Sequence, residues 1–536
     1  MPSADLKHSL EAALAEFATR PLAEAALGLF TTLGYKSDRR LHLRPANARG
    51  FLAAFDPRQE LNRDRALLHD WQAVEFLFQL TDAEVQSAGG QEMLLFESTG
   101  TFDGAIIESY VFLAIELRSP QDRTGERAGK PYTRSELAAI TRAVNRLFTM
   151  PAMLLFRHGD TLTLSVVRRR LSKRDPSRDV QEKVTLIKDI GFGDPLRAHL
   201  DILCDLALPV LYDEYYFHNF AGLHTAWEKR LGSYALNERF YREVADWYFW
   251  ALAREDVVLP RSIQAIPDRD EREKQRSVFF IRLLTRLIFC WFLQEKRLIP
   301  RDLFRRRTVD DLLQDRSPAA GTYYRAFLQN LFFGTLNQEQ DKRGWRKEYA
   351  GSSRKGNRGA TNLWRHSDFL PQPEKLEALL RDRIPFVNGG LFDCLDVVWT
   401  SEEKADRARR KLPPDDIRLD DFSEEKDNGL CLPNELFFGE EREVDLSGVY
   451  DDKRRGHEKV RGLIDILGRY KFTVEENTPL EEEIALDPEL LGKVFENLLA
   501  SYNEDTRTTA RKALGAFYTP REIVDYMVDE SLKAYL

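Results

Sequence analysis

Cysteine is scarce, with four in 536 residues (Cys204, Cys290, Cys394 and Cys431), and no two stand at C-x-x-C spacing. That excludes a disulfide framework and a zinc ribbon, and it fits a reducing cytoplasm. No run of about 18 apolar residues occurs, so no segment reads as membrane-spanning and no membrane partner is expected. Neither sign of charge dominates: 79 Lys and Arg against 87 Asp and Glu give −8. Overall charge therefore does not point to nucleic acid, and any such contact has to come from local basic patches. The N-terminus, Met-Pro-Ser-Ala-Asp, has no basic segment leading into an apolar core, so no signal peptide is read.

What is present is ordinary globular material, 43% hydrophobic and 31% charged. Its length suggests three to four domains at roughly 150 residues each. Residues 5 to 35 read as helical, and Trp71 to Leu80 as a strand or a short buried helix. Met93-Leu94-Leu95-Phe96 reads as a strand, followed by a turn and Phe102-Asp103-Gly104. Tyr110 to Arg118 is a continuous apolar run ending in charge, the pattern of a central strand buried on both faces. Thr133 can cap a helix through Phe148, with Glu136 completing a capping box. Two short strands, 152–156 and 161–167, flank His158-Gly159-Asp160 as a hairpin.

From about residue 195 the pattern turns helical. The aromatic stretch 240–250 and the apolar stretch 279–293 read as core helices, the second too short to cross a bilayer. Residues 338–367 interleave Lys342, Arg343, Arg346 and Lys347 with Trp345, Tyr349 and Trp364. They read as a surface insertion or as a DNA-tracking loop. Residues 413–427 read as a solvated acidic loop, and Asn388-Gly389-Gly390 as a tight turn.

The order strand, strand, helix and two more strands is that of a PD-(D/E)xK nuclease core. Asp103 flanks one strand, and Glu116-Leu117-Arg118 takes the E-x-K place on the next, with arginine where lysine is usual. The chemistry requires two carboxylates converging on a divalent ion that activates water, with a cation near the scissile phosphate. Arginine keeps the charge but is no proton shuttle. A charged pair at a strand end also simply marks where the strand meets solvent. Directly after the hairpin comes a basic run, Arg168, Arg169, Arg170, Lys173 and Arg174, which is either a solvated loop or a set of phosphate contacts.

The end of the chain is its most specific stretch: Gly515-Ala516-Phe517-Tyr518-Thr519-Pro520 leads into Arg521-Glu522-Ile523-Val524. Thr519 as N-cap, Pro520 at N1 and Glu522 three residues past the cap start a helix. Its free N–H groups favour an anionic ligand group. G-x-F-Y-T-P before an amphipathic helix resembles the motif that opens the catalytic domain of N6-adenine DNA methyltransferases. Several further stretches point the same way: Ile115-Glu116-Leu117-Arg118, Lys173 to Asp179, Asn388-Gly389-Gly390-Leu391-Phe392, and Asp487 to Leu499. Together they resemble, over essentially the whole chain, the N-terminal portion of type IIG-like restriction–modification enzymes.

That resemblance implies an α/β nuclease-like domain at 1–190 and a mostly helical connector with polar insertions at 191–480. Residues 481–536 would be the first helices of a Rossmann-like methyltransferase domain. It implies Mg²⁺ at Asp103 and Glu116, with Arg118 beside them. It implies S-adenosylmethionine at Phe517, Tyr518, Thr519 and Pro520, and double-stranded DNA as partner. No Gly-rich cofactor loop and no (N/D)-P-P-(Y/F/W) tetrapeptide to grip a flipped adenine is found. The nearest string, Leu412-Pro413-Pro414-Asp415, lacks both amide and aromatic. The expectation is an adenine-specific methyltransferase and endonuclease whose methyl transfer needs downstream sequence. The alternative is a non-catalytic DNA-binding or scaffold subunit, partnered by a separate methyltransferase or target-recognition chain.

Overall fold

The structure, a computed structural model, describes residues 4–88, 101–171, 179–231, 233–346, 362–387, 389–413, 415–450, 452–473, 481–486 and 521–535. The chain forms two compact units, Met1–Glu238 with Arg469–Leu486, and Arg239–Gly468 with Asp487–Leu536.

The first unit is a mixed α/β fold. Its strands are β1 (Trp71–Thr81), β2 (Ser109–Leu117), β3 (Ala152–His158), β4 (Thr161–Leu171), β5 (Asp179–Gly191) and β6 (Glu481–Glu483). They lie side by side in that order. β1 runs antiparallel to β2, and β2 parallel to β3. β3, β4 and β5 form an antiparallel meander, and β6 is parallel to β5. The helices used below are α1 (Ala4–Ala15), α2 (Leu22–Thr32), α3 (Ala48–Phe55), α4 (Arg134–Asn145) and α5 (Phe220–Arg230). A parallel pair needs a crossover, and α4 supplies it between β2 and β3.

β2 is the central strand that its unbroken apolar run predicts. Val111, Leu113 and Ile115 pack into one core with Leu137, Ile140 and Val144 of α4 and Phe51 of α3. On the opposite face Phe112 meets Phe78 of β1 at 4.4 Å and Phe30 of α2 at 4.9 Å between ring centroids. α4 begins where expected: Thr133 accepts from the Glu136 N–H, and the Glu136 side chain reaches back in a capping box. Residues 71–80 are strand rather than helix, paired along β2, with Val74 and Phe76 in the same core and Trp71 brought onto that face by a bulge before Ala73.

The basic run is corrected by the fold. Arg168, Arg169 and Arg170 are not a loop; they continue β4, opposite Lys183, Gln181 and Val180 of β5. Val166 and Val167 are buried just before them, so the ladder is already established and the arginines extend it. Lys173 and Arg174, like Met93 to Phe96, lie outside the described residues. β6 is a return of the chain from the second unit: Ile484 N–H donates to the Leu186 carbonyl, and Ile484, Ala485 and Leu486 are buried.

The second unit is predominantly helical. Its long helix α6 (Arg269–Glu295) starts at Asp268, whose carboxylate accepts from the Glu271 N–H. At 27 residues it is long and apolar enough to cross a bilayer, unlike the shorter helix read from sequence, yet 72% of its most apolar window is buried inside the protein. It is the spine of this unit's core.

Two further expectations fall here. In the stretch read as a solvated acidic loop, Asp420 and Asp421 are wholly buried. Asp420 pairs with Arg286 at 3.0 Å, Asp421 with Arg261 at 2.8 Å, and Asp396 accepts three successive N–H groups, those of residues 420–422. Arg286, buried, requires a counter-charge, and Asp420 of the acidic run supplies it. In the stretch read as a DNA-tracking loop, Trp345 and Trp364 are buried against each other. Stacking on bases would require their faces free. Residues 347–361, Asn388 and Pro414 lie outside the described residues. The last described element is α7 (Arg521–Tyr535), directly after the Phe-Tyr-Thr-Pro sequence.

Candidate functional site

β2 fixes where the expected nuclease residues stand. Glu116 closes the strand opposite Ala73 of β1 and Arg157 of β3, and its carboxylate lies 3.7 Å from the Arg157 Nε. Arg118 is held by its backbone: its N–H donates to the Asp70 carbonyl at 2.9 Å, and its carbonyl accepts from the Tyr132 hydroxyl at 3.2 Å. Asp103 sits before the strand begins. The Gln79 side chain accepts from its N–H and donates to its carbonyl, both at 2.9 Å, while its carboxylate accepts from the Ala105 N–H.

Asp103 and Glu116 therefore do not converge. Gln79 and Ala73 mark their places along β1, six residues and about 20 Å apart at strand rise. Asp103 precedes the start of β2 and Glu116 is its last residue but one, so the strand itself separates them. Among the described residues no group of three or more His, Cys, Asp or Glu is placed to hold a metal ion.

The end of β2 gathers a different set of groups. Arg123, almost fully buried, donates to Glu136 at 2.7 Å and lies 3.5 Å from Asp70, with its guanidinium 4.0 Å over the Tyr132 ring. Burial would raise the Glu136 pKa, but hydrogen bonds from Arg123 and Thr133 bring it below the usual carboxylate value. Burial holds His158 neutral, its pKa lowered to about 4, between the hydroxyls of Thr161 and Thr163. Beyond it Lys188 and Lys471 both pair with Asp189, at 2.7 and 3.2 Å. These carboxylates are counter-ions already engaged. Sequence reading singled out Glu136 only as a cap and missed Asp70 and Arg123; no local spacing announces a pair 53 residues apart.

The basic strand gives a surface instead. Arg168 stands directly opposite Lys183. A cleft of about 220 Å³ is lined by Arg168, Lys183, Thr185, His224, Trp227, Glu228 and Glu482, among others. Lys183 was not singled out beforehand; its place follows only once β4 and β5 are paired. Phe517, Tyr518, Thr519 and Pro520 lie outside the described residues. The helix they precede shows its apolar residues to solvent, Ile523 49%, Val524 42%, Met527 58% and Val528 50% exposed.

No known family profile matches this chain, and no solved structure matches it. Over 271 residues it is 29% identical to a Methanocaldococcus jannaschii protein provisionally named a type II restriction enzyme and methyltransferase. The match covers 51% of this chain and 16% of the relative's length. This similarity relates the chain to restriction–modification enzymes.

Proposed function

We propose that this chain is part of a restriction–modification protein that acts on double-stranded DNA and methylates adenine at N6. The observation that carries the reading is the 29% identity over 271 residues to a protein named for both activities. The Phe517-Tyr518-Thr519-Pro520 sequence supports the adenine class, because it matches the motif with which that family contacts S-adenosylmethionine. On this reading residues 1–190 are nuclease-like, 191–480 connect, and the methyltransferase domain of a longer type IIG-like protein begins after residue 486 rather than at 481, because 481–486 belong to the first unit. The resemblance places the methionine end of the cofactor at the N-terminus of α7, where free N–H groups favour its carboxylate. The adenine clamp comes from further sequence, and the setting is the cytoplasm.

For the nuclease we propose a DNA-holding unit rather than a cutting one. The support is the distance between Asp103 and Glu116 and the pairing of Glu116 with Arg157. The same observation favours the second reading, in which this chain is a DNA-binding subunit served by a separate methyltransferase chain. If Mg²⁺ does bind at Asp103 and Glu116, nicking is abolished by Asp103→Ala and Glu116→Ala and kept by Arg118→Lys. We expect no Mg²⁺- or Mn²⁺-dependent nicking that both alanine variants remove. Methyl transfer is tested by labelled S-adenosylmethionine and duplex DNA, using this chain within its native reading frame. Incorporation at adenine N6 supports the first reading; incorporation only after a second chain is added supports the second.

A further inference from the structure

Arg168 and Lys183 occupy one rung of the β4–β5 ladder. Directly opposed residues of an antiparallel pair share a face, with Cβ atoms about 5 Å apart, and like charges there oppose pairing. Here each cation is engaged by a carboxylate from another element. Arg168 Nε lies 2.7 Å from Glu228 Oε1 on α5, and Lys183 Nζ lies 2.5 Å from Glu482 Oε2 on β6. All four residues line the same cleft.

Glu228 is itself positioned. His224 Nε2 is 3.3 Å from the oxygen that meets Arg168, and the Tyr110 hydroxyl bonds His224 Nδ1. Burial keeps the Tyr110 phenol protonated and His224 neutral, so the phenol donates to Nδ1 and Nε2–H donates to Glu228. The two ion pairs differ in access. The Arg168 side chain is 51% exposed and Glu228 27%, whereas Glu482 is only 9% exposed.

Two cations on one rung, Arg168 half open to solvent and Lys183 31% exposed, make a fitting seat for a phosphodiester. The carboxylates stand where its oxygens would. We propose that Arg168, with Lys183 beside it on the same rung, forms a contact site for the nucleic-acid backbone, and that Glu228 fills it as an internal competitor. This rests on the reading that the chain acts on DNA. An exposed ion pair contributes little to stability, so exchanging Glu228 for a phosphate on Arg168 is inexpensive. Glu482, mostly buried, stays and keeps Lys183 in register. Lys183 adds long-range attraction, and Arg168 is the group that changes partner.

The test titrates a short duplex DNA onto the full 536-residue chain over a range of salt concentrations. Glu228→Gln should tighten binding about threefold to fivefold with little change in salt slope, because the phosphate contact already forms in wild type and only its competitor is removed. Arg168→Gln should flatten the slope by about 0.9, the value of one lost phosphate contact, and in the Arg168→Gln/Glu228→Gln double variant the gain should vanish. Should Glu228→Gln not fold, the flattened slope expected of Arg168→Gln carries the test, and an unchanged slope in that variant overturns the site. Unchanged affinity in Glu228→Gln, or a gain that survives loss of Arg168, overturns the site while leaving the DNA reading intact. Failure of wild type and every variant to bind DNA overturns both. A gain seen with inorganic phosphate and not with duplex also overturns it.

Discussion

Arg343 shows what a basic residue can do other than meet a ligand. Only 1% exposed, it donates to the carbonyl oxygens of Gln338, Leu380, Arg381, Ile384 and Thr335. A planar five-donor fork can tie those carbonyls together; an ammonium cannot. Arg343→Lys should destabilise the second unit by about 3 kcal/mol, read as a lower urea midpoint with unchanged slope. His199 is the opposite case. It is wholly buried, neither ring nitrogen has a hydrogen-bond partner, and burial lowers its pKa to about 3. Unfolded histidine takes a proton below about pH 6.5 and the folded one does not, so stability falls as pH drops from there towards about 3. His158, lowered to about 4, adds to the same loss. His199→Leu should be as stable as wild type or more so near pH 7, and should lose less on acidification to about pH 5. Individual burial of this kind was not legible beforehand, since composition does not say which arginine or histidine lies inside.

Elements were more legible where the pattern is local. The unbroken apolar run of β2 and the Thr133–Glu136 box of α4 are written within a few neighbouring residues, and both are found. Thr133→Ala should cost about 1 kcal/mol by removing the cap, measured in chemical denaturation. The strand β4 was legible only as far as Val167, because three arginines read as solvent-facing loop. What carries them into a strand is pairing with Lys183, Gln181 and Val180 of β5, a relation that no local pattern within β4 shows. The acidic stretch at 413–427 misled for the same reason: its partners Arg286 and Arg261 come from more than a hundred residues earlier. The expected carboxylate pair had the right residue types and strand order. A whole strand nevertheless separates Asp103 from Glu116.

At the scale of the molecule, a mixed α/β unit and a helical unit agree with the order of elements in the chain. Function is carried by similarity, 29% identity over 271 residues, and by the terminal motif. The most direct test is N6-methyladenine in DNA from cells expressing this chain within its native reading frame. We predict methyladenine at a fixed DNA sequence, and its loss in a Tyr518→Ala/Pro520→Ala variant that accumulates to the same level. Absence of methyladenine with the unaltered frame, or its persistence in the variant, would contradict the account.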